Sequence, residues 1–215
     1  MLRYRTLALV GTFLTLISMP ARSQELIDRI VARVEGDVIL LSEVRVLSRY
    51  QALVEGKPES DAQILDRLID QWIVRSEAEN ARFPHPTGAE ITRGVERVQD
   101  SFASTKEYET RKKESGLSDA EIRSMVAAQL YLSNYLNSRF RPGVQIDANA
   151  VQAFYESGVV PRAKARNQTP PSLDASREYI QEALIQRDIN EQAERWLKES
   201  HTRLRIQKLL EDTAK

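Results

Sequence analysis

Residues 30–44, Ile-Val-Ala-Arg-Val-Glu-Gly-Asp-Val-Ile-Leu-Leu-Ser-Glu-Val, decide the fold of this chain. Runs of β-branched and other apolar residues stand on both sides of Glu35-Gly36-Asp37, a sequence typical of a tight turn. The pattern therefore predicts a small β-hairpin. Because an isolated hairpin is only marginally stable in water, we expect a third strand or a helical cover to complete it.

A helical pattern follows the hairpin directly. Ser42 stands at an N-cap position, and this first helix is expected to end at Gly56. From Ser60 onward, apolar residues recur with a period near 3.6, which predicts a series of amphipathic helices. Capping sequences at residues 87–90 and 118–121 predict where two of them begin. The chain is therefore expected to be mainly α.

The C-terminal part returns to a strand pattern. A last helix is expected to begin near residues 172–176, and residues 203–207 then alternate between charged or polar and apolar side chains. This alternation predicts a strand that pairs with the N-terminal hairpin. Pairing of the two chain ends would also allow a homodimer through domain swapping.

The predicted domain organisation has four parts. Residues 1–23 form a signal peptide, residues 24–158 a helical domain, and residues 175–215 a C-terminal helix and strand that complete the same domain. Residues 159–174 are interpreted as a linker, since they contain Pro161, Pro170 and Pro171 and little apolar content. A short helix before this linker is expected to end near Gly158.

The first 23 residues have the three parts of a secretory signal. Arg3 and Arg5 precede an apolar stretch at residues 6–19, and Pro20 leads to small residues, with cleavage expected after Ser23. A membrane anchor is the alternative. The stretch would cover only about 21 Å as a helix, however, and the hydrocarbon core is roughly 30 Å thick. We therefore expect export, in the simplest case to a bacterial periplasm, without stable membrane insertion after cleavage.

Composition excludes several classes of function. The 215 residues include no cysteine, so disulfides, zinc thiolate sites, iron–sulfur clusters and a cysteine nucleophile are excluded. The 31 Lys and Arg residues equal the 31 Asp and Glu residues in number. Binding to nucleic acid is therefore not expected, because phosphate contacts need an excess of positive charge.

Catalytic motifs are not recognisable in the sequence. There is no Gly-x-x-x-x-Gly-Lys-Ser/Thr loop for a nucleotide and no Gly-x-Ser-x-Gly for a hydrolase. His85 and His201 are isolated and lack partners at zinc-ligand spacing. We therefore predict no catalytic residue, no cofactor and no metal site.

The quoted segment carries a family resemblance. Residues 30–44, directly after a signal sequence, resemble the opening of SurA-type periplasmic chaperones, the SurA N-terminal domain family, which is related to trigger factor. The likeness continues weakly through residues 65–70, 87–98, 116–123 and 180–207. It implies a multi-helix chaperone domain with a small hairpin near its mature N-terminus and a C-terminal helix and strand that pack back onto it.

The same resemblance bears on enzymatic activity. Members of this family commonly carry parvulin-type prolyl isomerase domains before the terminal helix. Here the corresponding interval, residues 157–175, has only 19 residues, fewer than the roughly 50 that a small domain needs. The resemblance therefore implies a chaperone without an isomerase domain.

The expected function is that of an ATP-independent holdase for unfolded or partly folded exported proteins, including outer-membrane proteins. Its client-binding groove is expected to include five aromatic residues whose spacing is irregular: Tyr108, Tyr131, Tyr135, Phe154 and Tyr155. Trp72, Phe102, Phe140 and Trp196 follow helical stripes and are assigned to the core. Two alternatives remain open, a prolyl isomerase with an unrecognised site and an assembly protein that docks one fixed partner.

Overall fold

The computed structural model describes residues 28–57 and 59–210. The predicted signal peptide lies outside these residues. The described chain is mainly helical and carries one small antiparallel sheet, which confirms the predicted fold class. None of its helices is both long and apolar enough to cross a bilayer.

The sheet joins the two ends of the described chain. Strands β1 (Ile30–Val34) and β2 (Asp37–Leu40) form the predicted hairpin, and β3 (Ile206–Lys208) pairs with the other side of β1. Both pairings are antiparallel, and the strand order is β2-β1-β3. The prediction that the tail supplies the third strand is therefore confirmed.

The helices follow in chain order between β2 and β3. They are α1 (Leu41–Glu55), α2 (Asp61–Asn80), α3 (Gly88–Asp100), α4 (Thr105–Ser115), α5 (Asp119–Phe140), α6 (Ala148–Phe154), α7 (Val160–Ala165) and α8 (Leu173–Arg203). A 3₁₀ turn, Arg141–Gly143, follows α5, and a π-helical turn, Tyr155–Val159, joins α6 to α7.

Capping side chains explain where α3 and α5 begin. Thr87 accepts a hydrogen bond from the Glu90 backbone N–H, and the Glu90 carboxylate accepts one from the Thr87 N–H. Ser118 and Glu121 form the same reciprocal pair at the start of α5. Because such boxes satisfy donors that a helix leaves unpaired, both predicted starts are confirmed.

Two helical segments differ from the sequence predictions. Helix α4 has no apolar stripe in the sequence that predicts it as a separate helix, because Tyr108 is its one buried residue and a single apolar position produces no period. The chain is also helical beyond Gly158, so the first half of the predicted linker belongs to α7. Pro161 lies in the first turn of α7, where a helix tolerates the missing N–H of proline.

Three clusters of buried residues hold these elements together. The first packs the sheet against α1, α2, α5 and α8, and includes Val34, Ile69 and Trp196. The second packs α1 against α5 and includes Tyr50 and the partly buried Phe102. The third lies between α6 and α8. Helix α8 therefore contributes side chains to both the first and the third cluster.

Gly94 allows α3 and α5 to approach each other closely. A Cβ atom at this position would lie 2.6 Å from Cγ1 of Val126 and 3.0 Å from Cδ1 of Leu130. We expect Gly94→Ala to lower the free energy of unfolding by about 1–2 kcal/mol, because overpacking exceeds the gain in helix propensity. Gly88→Ala is the matched control, since its Cβ would be 3.9 Å from the nearest atom, a side-chain nitrogen of Arg123. Urea unfolding of both variants checks this, and equal midpoints would contradict it.

A bidentate ion pair ties α8 to the turn after α5. The Arg141 guanidinium donates to both carboxylate oxygens of Glu182, at 2.9 and 2.6 Å. These hydrogen bonds, with a further one from Gln186, lower the pKa of the Glu182 carboxyl to about 2. Protonation of Glu182 therefore opposes folding.

The contribution of this pair to stability should depend on pH with a definite sign. It is fully present above about pH 4.5, the ordinary pKa of the Glu182 carboxyl, and is lost as the pH falls toward about 2. We expect Arg141→Gln to raise the pKa of Glu182 toward its usual range, because only the hydrogen bond from Gln186 then remains. Titration of the Glu182 carboxyl carbon by NMR measures this directly, and an unchanged pKa in the variant would refute the assigned cause.

Candidate functional site

An open cleft of ≈ 340 Å³ lies where the hairpin turn, α2, α5 and the end of α8 meet. The residues that determine its character come from four separate parts of the chain: Glu35, Trp72, Glu77, Arg139, Trp196 and Leu204. The packing of the terminal strand and helix against the N-terminal half therefore creates this cleft.

Two tryptophans form its apolar part. Trp72 is half-buried on α2, and its indole N–H donates to a carboxylate oxygen of Asp37 at 2.9 Å, which fixes α2 against β2. Trp196 on α8 is only 9% exposed and packs in the first core cluster. Its ring centroid is 6.1 Å from that of Phe140 on α5. Both indoles are thus held in place by the fold itself.

Arg139 places a positive charge beside the Trp196 ring. Its guanidinium carbon is 4.8 Å from the centroid of Trp196, a cation–π distance. The same guanidinium donates to the Tyr135 hydroxyl at 2.9 Å and lies 3.6 Å from a carboxylate oxygen of Glu77. Three neighbours therefore hold this cation at the wall of the cleft.

Glu35, in the hairpin turn, places a negative charge at the wall of the cleft. Its carboxylate accepts a hydrogen bond from the Arg205 backbone N–H at 2.8 Å and two longer ones from the Arg205 guanidinium. The backbone bond is the main reason that the pKa of the Glu35 carboxyl lies below its usual range. The hairpin turn is thereby attached to the chain that enters β3.

The cleft combines an apolar surface with charged groups at its rim. The indole rings offer a concave apolar surface, while Glu77, Arg139 and Arg203 supply charges of both signs around it. Its volume suits a few side chains rather than a folded domain. Within residues 28–57 and 59–210, no group of three or more histidine, aspartate or glutamate side chains is placed to hold a metal ion.

The five predicted client-binding aromatics do not share one surface. Tyr108, Tyr131 and Tyr135 are 1%, 4% and 6% exposed, so the expectation that they line an exposed groove is wrong. Tyr108 packs edge-on against Phe102, whereas the other two belong to the first core cluster.

Phe154 and Tyr155 are half-buried and lie beside the third cluster. The Tyr155 hydroxyl donates to the Pro171 carbonyl at 2.7 Å, which attaches the π-helical turn to the segment before α8. Both side chains retain some exposed surface. Their part in client binding stays a prediction.

The sequence analysis missed the tryptophans of the cleft. Trp72 and Trp196 follow helical stripes and were assigned to the core. Both do pack in or against the first core cluster, but both rings also line the cleft. They are 124 positions apart, and no local pattern indicates that they line one cleft.

The chain matches no family model and no curated protein, so the resemblance to SurA-type chaperones stays a prediction from its sequence.

Proposed function

We propose that this protein is an ATP-independent chaperone that holds unfolded or partly folded proteins after export to the periplasm. The observation that carries the proposal is the cleft between Trp72 and Trp196, which combines an apolar aromatic surface with charges of both signs. The resemblance of residues 30–44 to the opening of SurA-type chaperones supports the same function. Outer-membrane proteins are the proposed clients.

The proposed mechanism is reversible capture. An apolar side chain of an extended client leaves water and contacts the indole rings, while the charged rim keeps the complex soluble. Without nucleotide hydrolysis, release depends on dissociation alone. Affinity in the micromolar range, about −8 kcal/mol, is therefore sufficient, and much tighter binding would prevent delivery of the client.

Aggregation of an outer-membrane β-barrel protein diluted from urea tests this function. Light scattering is followed at increasing molar ratios of the purified chain, without nucleotide. We expect suppression that saturates at a small stoichiometry. A well-folded sample that leaves the scattering unchanged would contradict the proposal and favour a protein that docks one fixed partner.

Ser76 offers a way to block the cleft selectively. It lines the cleft on α2, is half-buried, and its hydroxyl makes none of the described hydrogen bonds. We expect Ser76→Phe to fill the cleft and weaken client binding by about tenfold, the effect of losing roughly 1.4 kcal/mol. Fluorescence anisotropy of a labelled client peptide measures this.

Ser76→Ala is the matched control, because it removes the same hydroxyl and leaves the cleft open. It should bind the peptide as the wild type does. Thermal unfolding of both variants tests whether the fold is retained. Equal peptide affinity of a folded Ser76→Phe variant and the wild type would place client binding elsewhere on the molecule.

A further inference from the structure

Strand β3 uses only one of its two sides for pairing. The Glu35 N–H donates to the Arg205 carbonyl at 2.9 Å, and the Leu209 N–H donates to the Val31 carbonyl at 2.8 Å. The antiparallel register between them pairs Arg33 with Gln207. Positions 205, 207 and 209 therefore direct their backbone groups toward β1.

Backbone groups alternate in direction along a strand, so those of Ile206 and Lys208 point away from β1. No other residue in the described part of the chain accepts a hydrogen bond from either N–H group. The opposite edge differs. On β2, the Leu40 N–H donates to the Glu43 carboxylate at 2.7 Å, which occupies one of its outward donors. The β3 edge is thus the better template for another strand.

The surroundings of β3 also suit an added chain. Leu209, immediately after the strand, is 37% exposed, so an apolar side chain is available beside the edge. Leu204 lines the cleft and precedes β3 by two residues. At about 3.3 Å per residue, the first residue of β3, and the client residue beside it, lie about 7 Å along the chain direction from Leu204. The edge and the cleft therefore form neighbouring parts of one surface.

We propose that the outer edge of β3 binds an extended client segment as a fourth strand of the sheet. This inference rests on the proposed chaperone function and specifies how a client is recognised. The bound segment pairs its backbone N–H and C=O groups with those of Ile206 and Lys208, and its side chains contribute through Leu209 and the cleft. Such recognition tolerates many sequences but requires an extended backbone with free N–H groups.

Position 208 allows the backbone contact to be tested apart from the side chain. Lys208 forms an ion pair with Asp66 on α2, and both Lys208→Ala and Lys208→Pro remove it. Only proline also removes the outward N–H, and an edge strand tolerates proline at such a position. The probe is a fluorescent ten-residue peptide of alternating apolar and polar residues. We expect Lys208→Pro to bind it about tenfold more weakly than Lys208→Ala.

Equal affinity of these two folded variants overturns the inference. A second measurement keeps it testable should Lys208→Pro not fold: the wild type is titrated with the same peptide N-methylated at alternate residues. A loss of about tenfold or more in one of the two methylation registers supports strand addition, and unchanged affinity in both overturns it.

The β-barrel aggregation assay separates the proposal for the β3 edge from the proposed chaperone function. Suppression by the wild type that Lys208→Pro retains in full rejects only the edge, whereas no suppression by the wild type rejects the chaperone function.

A second copy of this chain could occupy the same edge, and sedimentation velocity distinguishes it from a client. A wild-type dimer that Lys208→Pro dissociates, together with unchanged peptide affinity, assigns the edge to self-association and overturns the inference. A wild type that stays monomeric and binds the peptide, together with weaker binding by Lys208→Pro than by Lys208→Ala, supports it.

Discussion

A chain that ends at Leu204 should lose about 3–5 kcal/mol of its free energy of unfolding. This truncation removes Leu210 and the whole of β3, and the side chains of Leu210 and of Ile206 in β3 pack against the first core cluster. Burial of an aliphatic side chain contributes about 1.5–3 kcal/mol. The loss also uncovers one edge of β1, where Val34 is fully buried. At roughly 2–4 °C per kcal/mol, the thermal midpoint should fall by about 6–20 °C.

A chain that ends at Leu210 is the appropriate control, because it retains every contact described above. It should unfold at the wild-type temperature. Circular dichroism during heating compares the two truncations and the full chain. If the chain ending at Leu204 had an unchanged midpoint, pairing of β3 with β1 would not contribute to stability, and the role assigned to the tail would be refuted.

The sheet could be predicted from sequence because its signals are local. Glu35 adopts a positive φ of 54° in the two-residue turn, and apolar strand residues flank that turn directly. The tail strand could also be predicted, since polar and apolar side chains alternate over residues 203–207 and this alternation distinguishes the strand from the helix before it. Only the assignment of the tail to this hairpin required reasoning beyond local pattern. It followed from the need of a two-stranded hairpin for a third strand.

The candidate site could not be predicted in the same way. Its walls come from Glu35, Trp72, Arg139 and Trp196, which lie far apart along the chain and meet only after packing. Irregular aromatic spacing was also a poor guide to exposure. Tyr108 is buried because α4 packs against α1 and α3 and its ring lies edge-on against Phe102, and no property of its own helix indicates that.

Trp196→Ala should cause the largest loss among the point substitutions considered, about 3–5 kcal/mol, because it leaves a cavity in the first core cluster. Trp196→Phe keeps an aromatic ring beside Arg139 and Phe140 and should lose about half as much. Urea unfolding measures both, and equal losses would show that the contacts of an aromatic ring at position 196 contribute little.

Trp196→Ala should also abolish client binding, but a cleft variant that unfolds cannot identify a binding site. The cleft shares its floor with the core. Stability and binding are therefore separable at Ser76, which lines the cleft and belongs to none of the three core clusters, and not at Trp196.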